Sequence, residues 1–491
     1  MPFLATPIKN ESHVNLKPGG EFYVVTKNNE YQFYAAIMMK SVNPATGELI
    51  KVYDNHTEKG IQKIINSVDK CWHQWKKSSF FQRSQLMQNL SSLLRSNKEQ
   101  LARLMAHEMG KVLFEGVAEI EKCAWVCDYY AVNAENFLEN EVIESDFSQS
   151  YVSYQPLGTI LAVMPWNFPF WQVFRFAAPT MMAGNTIVLK HASNVPGCAS
   201  AIEDLFREAG FPENVFRSLL IGSEQVVDVI EHPAIKGVSL TGSTAAGRSV
   251  ASVAAGVLKK CVLELGGSDP YLILPDADLK AAARICAAGR LLNAGQSCIG
   301  AKRFIVTDPV YYEFLEYFTY EMNKAVFGDP CDGETTMGPL ARIDIRDELH
   351  LQVLMSVKNG AEVVIGGEIP ERKGAYYPPT ILENVKPGMP AYDEELFGPV
   401  ASVIRVKDEK EAIHVANDTP FGLGAAVFSM NMGKAQQIAE TQLQAGSCFV
   451  NDFVKSDPRL PFGGIKGSGY GRELSSQGIR EFVNVKTVVV K

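Results

Sequence analysis

Between residues 57 and 75, apolar side chains recur every three or four positions, at Ile61, Ile64, Ile65, Val68, Cys71, Trp72 and Trp75. This spacing draws one apolar stripe along a helix of 3.6 residues per turn and predicts an amphipathic helix. Leu86, Met87, Leu90, Leu93 and Leu94 predict a second helix and residues 101–109 a third, and helical patterning continues to Phe137. The preceding segment, 1–37, lacks helical periodicity. It reads as an N-terminal extension of unknown role leading into Met38-Met39-Lys40-Ser41.

Beyond residue 150 the rhythm changes. Short apolar runs at 160–164, 186–190, 215–221 and 237–240 each precede a helix-like stretch. Strand and helix in repeated alternation predict a parallel sheet covered on both faces. A second series follows at 271–274, 303–307, 400–406, 424–428 and 448–451. The fold class is therefore α/β, with two units and a cleft between them. Such sheets hold ligands at the carboxyl ends of their strands. The alternating stretch 149–155 and the β-rich tail 482–490 read as strands outside either core.

Length agrees with this division, since 491 residues exceed one ordinary core. A hydrophobic share of 46% with 21% charged residues is globular rather than disordered. The net charge of -8 argues against nucleic acid or an anionic membrane surface as partner. Nine scattered cysteines, an odd number in a long chain, form no disulfide framework and point to a reducing compartment. Cys123 and Cys127 share a helix face, but no second pair completes a zinc site, so no metal is expected. The first 20 residues hold no signal-peptide core, no arginine precedes Arg83, and no apolar run approaches the roughly 20 residues of a membrane span. A cytoplasmic location follows by elimination.

The chemistry-bearing residues fall in loops after predicted strands. Pro165-Trp166-Asn167-Phe168-Pro169 follows 160–164, Glu264-Leu265-Gly266-Gly267 follows 258–263, and Gly295-Gln296-Ser297-Cys298 follows the next helix. An amide, a carboxylate and a thiol together suit aldehyde oxidation. A thiolate attacks the carbonyl, an amide donor stabilises the resulting oxyanion, hydride leaves to a nicotinamide, and a carboxylate activates water against the thioester. Taken singly, each residue has a plainer reading: a buried small apolar cysteine, a capping or paired glutamate, a turn asparagine. Their joint pattern favours the chemistry.

With Thr241-Gly242-Ser243-Thr244, Leu263-Glu264-Leu265-Gly266-Gly267, Glu394-Glu395-Leu396-Phe397-Gly398-Pro399 and Pro461-Phe462-Gly463-Gly464, these motifs make the chain resemble the aldehyde dehydrogenase superfamily from about Val42 onward. The resemblance implies the aldehyde dehydrogenase fold: a Rossmann-like cofactor domain, an α/β catalytic domain and a small β oligomerisation arm. Residues 38–141 and 158–266 would form the NAD(P)-binding domain, 267–467 the catalytic domain, and 142–157 with 468–491 the arm and tail. Cys298 would be the nucleophile, Glu264 the general base and Asn167 the oxyanion donor. Trp166, Lys190, Ser193, Gly242, Ser243, Glu395 and Phe397 would meet NAD or NADP. The segment from Gly242 to Gly247 is not the G-x-G-x-x-G fingerprint, and by itself reads equally as a capped, tightly packed helix. Many NAD-preferring members carry a glutamate where this chain has Ser193, and a serine does not repel a 2′-phosphate. His191 replaces the proline often found in that loop.

The resemblance is closest to bacterial members that act on succinate semialdehyde. Arg175, about two turns past Asn167 on a predicted helix, matches the arginine that binds the far carboxylate there. Its plainer reading is a pair with a nearby acid. Ser456 and Arg459 would add polar contacts, while Trp171 and Phe462 would wall the methylenes or simply fill the core. Leu292 stands where other semialdehyde oxidisers have arginine, with Arg290 two positions earlier. Open alternatives are glutarate semialdehyde or a broad aldehyde range, acyl transfer to CoA, which the presence of Glu264 disfavours, and a binding protein that kept only the fold. The arm and tail resemble elements that pair between subunits, implying a homodimer or homotetramer.

Overall fold

The computed structural model describes residues 38–491 and, upstream, the backbone of three short antiparallel strands, Val14–Leu16, Phe22–Val25 and Tyr31–Tyr34. The remainder of the 1–37 extension lies outside the described residues. Thr57 starts helix α1 (Glu58–Trp75), its hydroxyl accepting the Gly60 N–H at 3.2 Å. Ile61, Ile65, Val68 and Trp75 are buried along the expected stripe.

The second and third predicted helices are one helix, α2 (Phe80–Met109), 30 residues long. The polar run 95–100 interrupts the apolar stripe but contains neither Gly nor Pro to break the backbone. Its Arg95 and Lys98 pair with Glu121 and Asp128 on the neighbouring helix α3 (Leu113–Phe137). Gly110, in the left-handed conformation, ends α2.

Two sheets follow, as the alternation predicts. In the first, Thr159–Met164 lies between Thr186–His191 and Ile235–Thr241, all parallel. Phe216–Ser218 closes one edge, and Lys260–Glu264 extends the other to a short antiparallel strand, Gly469–Tyr470. The run 215–221 contributes only three residues to this sheet. The second sheet has seven strands, with Ala301–Thr307 and Asp269–Ile273 at its centre. Two of its members, Glu362–Ile365 and Thr380–Glu383, are not among the predicted runs; they pair antiparallel with each other at the sheet edge, outside the strand–helix alternation.

The arm forms as expected. Gln149–Pro156 pairs along its whole length with Val483–Val490, antiparallel, and with Glu141–Val142 on its other side. Helix α4 (Trp171–Met182) is buried at every position, and it begins just after the loop carrying Asn167. No helix among the described residues is long and apolar enough to cross a membrane.

Candidate active site

The segment before Cys298 is held in a costly shape. Asn293, Ala294 and Gly295 have φ of 55°, 53° and 74°. Left-handed backbone costs roughly 1–2 kcal/mol for each residue bearing a Cβ. At Gly295 a Cβ would also strike the Gly398 carbonyl, so that position requires glycine. Buried polar groups hold the turn. Both Glu115 oxygens accept the Asn293 N–H, at 3.0 and 3.1 Å, and Arg290 donates to the Gly295 carbonyl at 2.6 Å. Lys302 Nζ donates to the carbonyls of Ser297 and Cys298, both at 2.9 Å. The thiol is thus presented from a rigid turn rather than a loose loop.

Asn167 is tied to the same turn. Its Nδ2 donates to the Gln296 carbonyl at 3.0 Å, and its own carbonyl accepts from Asn293 Nδ2 at 2.7 Å. One amide hydrogen of Asn167 remains for another acceptor. The His191 ring fixes the loop from behind. Its Nδ1 accepts the Ala192 N–H at 2.9 Å, so Nε2 carries the proton and donates to the Pro169 carbonyl at 2.8 Å. This is the consequence of the histidine that replaces proline.

Cys298 lines two cavities at once. The first, of about 290 Å³, is also lined by Trp166, Asn167, Gly242, Ser243, Glu395 and Phe397. Phe397 meets Trp166 edge-on, with ring centroids 5.8 Å apart. Ser243 caps the helix Thr244–Gly256 by accepting the Ala246 N–H, and the missing Cβ of Gly247 leaves room for Leu265. The capped-helix reading and the ligand-facing reading therefore hold together, because Gly242 and Ser243 also face the cavity. A helix start beside this cavity suits a pyrophosphate and the aromatic and apolar lining suits a ring, so the residues present fit a dinucleotide. Lys190 and the exposed Ser193 do not line this cavity. They follow the neighbouring strand, Lys190 registering with Val163.

Glu395 accepts the Gly267 N–H at 3.1 Å and lies 3.4 Å from Lys302 Nζ. Burial nevertheless raises its carboxyl above the usual range. The Cys298 thiol is pushed up to about 12 by burial, while the charges of Arg175 and Lys302 pull it back. Glu264, at the end of its strand, is 2% exposed, and neither carboxylate oxygen has a hydrogen-bond partner. Burial, and then the nearby Glu473, raise it well above the carboxylate range, against the pull of Arg175 and Arg472. It lines neither cavity.

The second cavity, of about 310 Å³, is mainly apolar and includes Trp171, Arg175, Ser456 and Phe462. The expected substrate-side residues are thus brought together, with one exception. Arg459 is exposed and forks onto Asp457 at 2.6 and 2.9 Å, outside the cavity. Its two-residue spacing from Asp457 lets the pair close locally, which sequence position alone did not reveal. Arg175 is buried and paired with Glu473, with Thr241 Oγ1 3.3 Å from Nη2 and its guanidinium over the Phe462 ring. Leu292 lines the cavity, whereas Arg290 is wholly buried in the turn.

Sequence reasoning missed Lys302, Glu473, Glu115 and Lys122. Glu473 falls within the stretch DPRLPFGGIKGSGYGREL, yet nothing local marks it as the partner of Arg175. The contacts of Glu473, Glu115 and Lys122 join distant parts of the chain, whereas Lys302 bonds carbonyls four and five residues away as well as meeting Glu395. Among the described residues no group of three or more His, Cys, Asp or Glu side chains is arranged to hold a metal.

The family model described as "Aldehyde dehydrogenase family" matches residues 34–488. The probable succinate-semialdehyde dehydrogenase [NADP(+)] of Synechocystis sp. is 48% identical over 448 residues, covering 91% of this chain and 98% of the relative. The succinate semialdehyde dehydrogenase [NAD(P)+] of Escherichia coli is 43% identical, covering 91% and 97%. The crystal structure of succinic semialdehyde dehydrogenase from Streptococcus pyogenes, in complex with NADP+, superposes with a TM-score of 0.90 at 40% identity, covering 92% and 99%.

Proposed function

The chain belongs to the aldehyde dehydrogenase family, and on that premise we propose that it oxidises succinate semialdehyde to succinate with NAD(P)+ through a thioester on Cys298. The observation that carries this reading is the position of Cys298 between two cavities. One mixes polar and apolar side chains beside a helix start. The other is apolar but holds buried cations.

Cys298 attacks the aldehyde carbon, its proton leaving through water in the open cavity. Arg175 and Lys302 both favour ionisation of the thiol and so stabilise the developing thiolate. The free amide hydrogen of Asn167 receives the oxyanion. When bound among Trp166, Gly242, Ser243, Glu395 and Phe397, the nicotinamide supplies the hydride acceptor. Glu264 then takes a proton from water as that water attacks the thioester, releasing the acid and restoring the thiol. No hydrogen bond restrains its carboxylate from turning toward Cys298. The same carboxylate supports hydrolysis over acyl transfer to CoA.

The division of labour follows the two sheets: 38–141 and 158–266 hold the cofactor, and 267–467 carries the nucleophile. Lys190 would meet the adenosine ribose. The exposed Ser193 leaves space and no opposing charge for a 2′-phosphate, which supports use of NADP+ as well as NAD+. Trp171 and Phe462 wall the substrate's methylenes, and Arg175 and Ser456 face its polar end. The free edge of the arm, with exposed Val485 and Val489, supports assembly of a homodimer or homotetramer through 142–157 and 468–491. The nine free cysteines support a reducing compartment.

The test is NADH and NADPH formation with succinate semialdehyde against butyraldehyde of equal chain length. The semialdehyde is expected to win by roughly 100-fold or more in kcat/KM, as for a site built around a polar group that its rival lacks. Equal values would refute the substrate assignment and leave a broad aldehyde oxidiser.

A further inference from the structure

Of the three cations lining the substrate cavity, two are already paired, Lys455 with Asp452 and Arg175 with Glu473. The Arg175 pair is buried and lies beside Thr241, so its charge is partly offset before any substrate arrives. The third is Lys122, on α3, which lines the same cavity as Cys298. Its Nζ donates to Ser456 Oγ at 2.9 Å and lies 4.4 Å from the centroid of the Trp171 ring. Among the described residues no carboxylate reaches ion-pair distance of it. The acids nearest to it are engaged elsewhere. Glu119, on the same helix, is paired with Lys111 and accepts the N–H groups of Phe170 and Trp171, both at 2.9 Å. Asp457 is held by Arg459.

We propose that Lys122, with the Ser456 hydroxyl beside it, receives the distal carboxylate of the anionic aldehyde and is the residue that sets the enzyme's preference for a charged substrate. This rests on the substrate reading given above. An ammonium has three donors, and Ser456 takes one, leaving two for a carboxylate. In a mainly apolar cavity an unpaired anion is strongly disfavoured and an unpaired cation equally so, and the substrate supplies the missing partner for both. Arg175 adds hydrogen bonds and a charge already shared with Glu473. Lys122 supplies the charge.

The ammonium also titrates in a useful range. Burial, and then the charge of Arg175 on α4, lower it to about 8, against the opposite pull of Cys123 and Glu119 on its own helix and of Asp457. Above that pH the free enzyme loses the cation, so the KM for the semialdehyde should climb as pH passes through about 8.

Lys122→Met keeps the apolar stem and removes the charge. The expected result is a rise of roughly 10- to 100-fold in KM for succinate semialdehyde, the worth of one hydrogen bond to a charged group. The KM for butyraldehyde should fall, because the cavity becomes more apolar. The alkaline climb in the semialdehyde KM should disappear, and Lys122→Arg should restore most of the affinity. An unchanged ratio of the two KM values in Lys122→Met overturns the proposal, as does an equal rise in both, which would make Lys122 a packing residue. A wild-type enzyme with no preference for the semialdehyde would instead refute the substrate reading itself, so the two failures are distinct.

Discussion

Replacing Glu264 by glutamine keeps the shape of a side chain that is 2% exposed while removing the group assigned to activate water. General-base catalysis contributes about 10²- to 10⁴-fold, or roughly 2.7–5.4 kcal/mol at 1.36 kcal/mol per decade. Steady-state turnover of Glu264→Gln should fall by that factor. The first turnover should survive, because hydride leaves before the thioester is hydrolysed. Stability should move the other way. The folded-state carboxyl is raised by burial and by Glu473, so the folded protein holds this proton at pH values where the unfolded chain has lost it. That contribution to stability is complete below the ordinary carboxylate range and declines as pH rises through the raised value. At pH 8 the glutamine variant escapes that loss and should melt no lower than wild type. Rapid mixing of enzyme, NADP+ and semialdehyde, followed by NADPH absorbance, should show a burst near one equivalent per active site and then a slow phase. Full turnover would refute the assignment of Glu264. Loss of the burst would move its role to deprotonating Cys298.

Four further substitutions probe the turn and the cofactor side. Cys298→Ala should abolish aldehyde oxidation while NADPH fluorescence titration still reports binding, and measurable turnover would remove Cys298 from the mechanism. Gly295→Ala places a Cβ against the Gly398 carbonyl at φ of 74°, so it should lower the melting temperature by more than the roughly 1–2 kcal/mol of left-handed strain alone implies and shrink the burst. Lys302→Met strips the Ser297 and Cys298 carbonyls of their donor and leaves Glu395 buried without its cation; a loss of about 3–5 kcal/mol is expected in thermal unfolding, and an unshifted transition would contradict it. Ser193→Glu should cut NADPH formation at least tenfold relative to NADH, since a carboxylate near a phosphate costs about 1–4 kcal/mol at 4 Å. Parallel losses with both cofactors would place that residue away from the 2′-phosphate.

Much of this protein is legible along the chain. The change of period near residue 150, the helical stripe of α1 and the parallel strands of both sheets are local patterns, because burial of one face must repeat with the element's own pitch. Asn167, Glu264 and Cys298 stand out as an amide, a carboxylate and a thiol in loops after predicted strands, and their assigned roles come from the joint pattern and the family resemblance. Glu362–Ile365 and Thr380–Glu383 stayed hidden because they pair antiparallel at the sheet edge, outside the strand–helix alternation. The polar run 95–100 was misleading for a different reason: its charges face α3 rather than a loop.

The pairing of charges was decided only in three dimensions. Arg175 and Glu473 lie almost 300 positions apart, and Lys122 reaches Ser456 across a separation of 334. Nothing in either neighbourhood tells a neutralised cation from a free one. The sequence by itself determined which groups are available and on which elements they ride, since periodicity and turn chemistry are local. The tertiary structure alone decided which charges cancel and which remain, because electrostatic pairing in a buried cavity depends on distances between segments that the chain brings together only on folding.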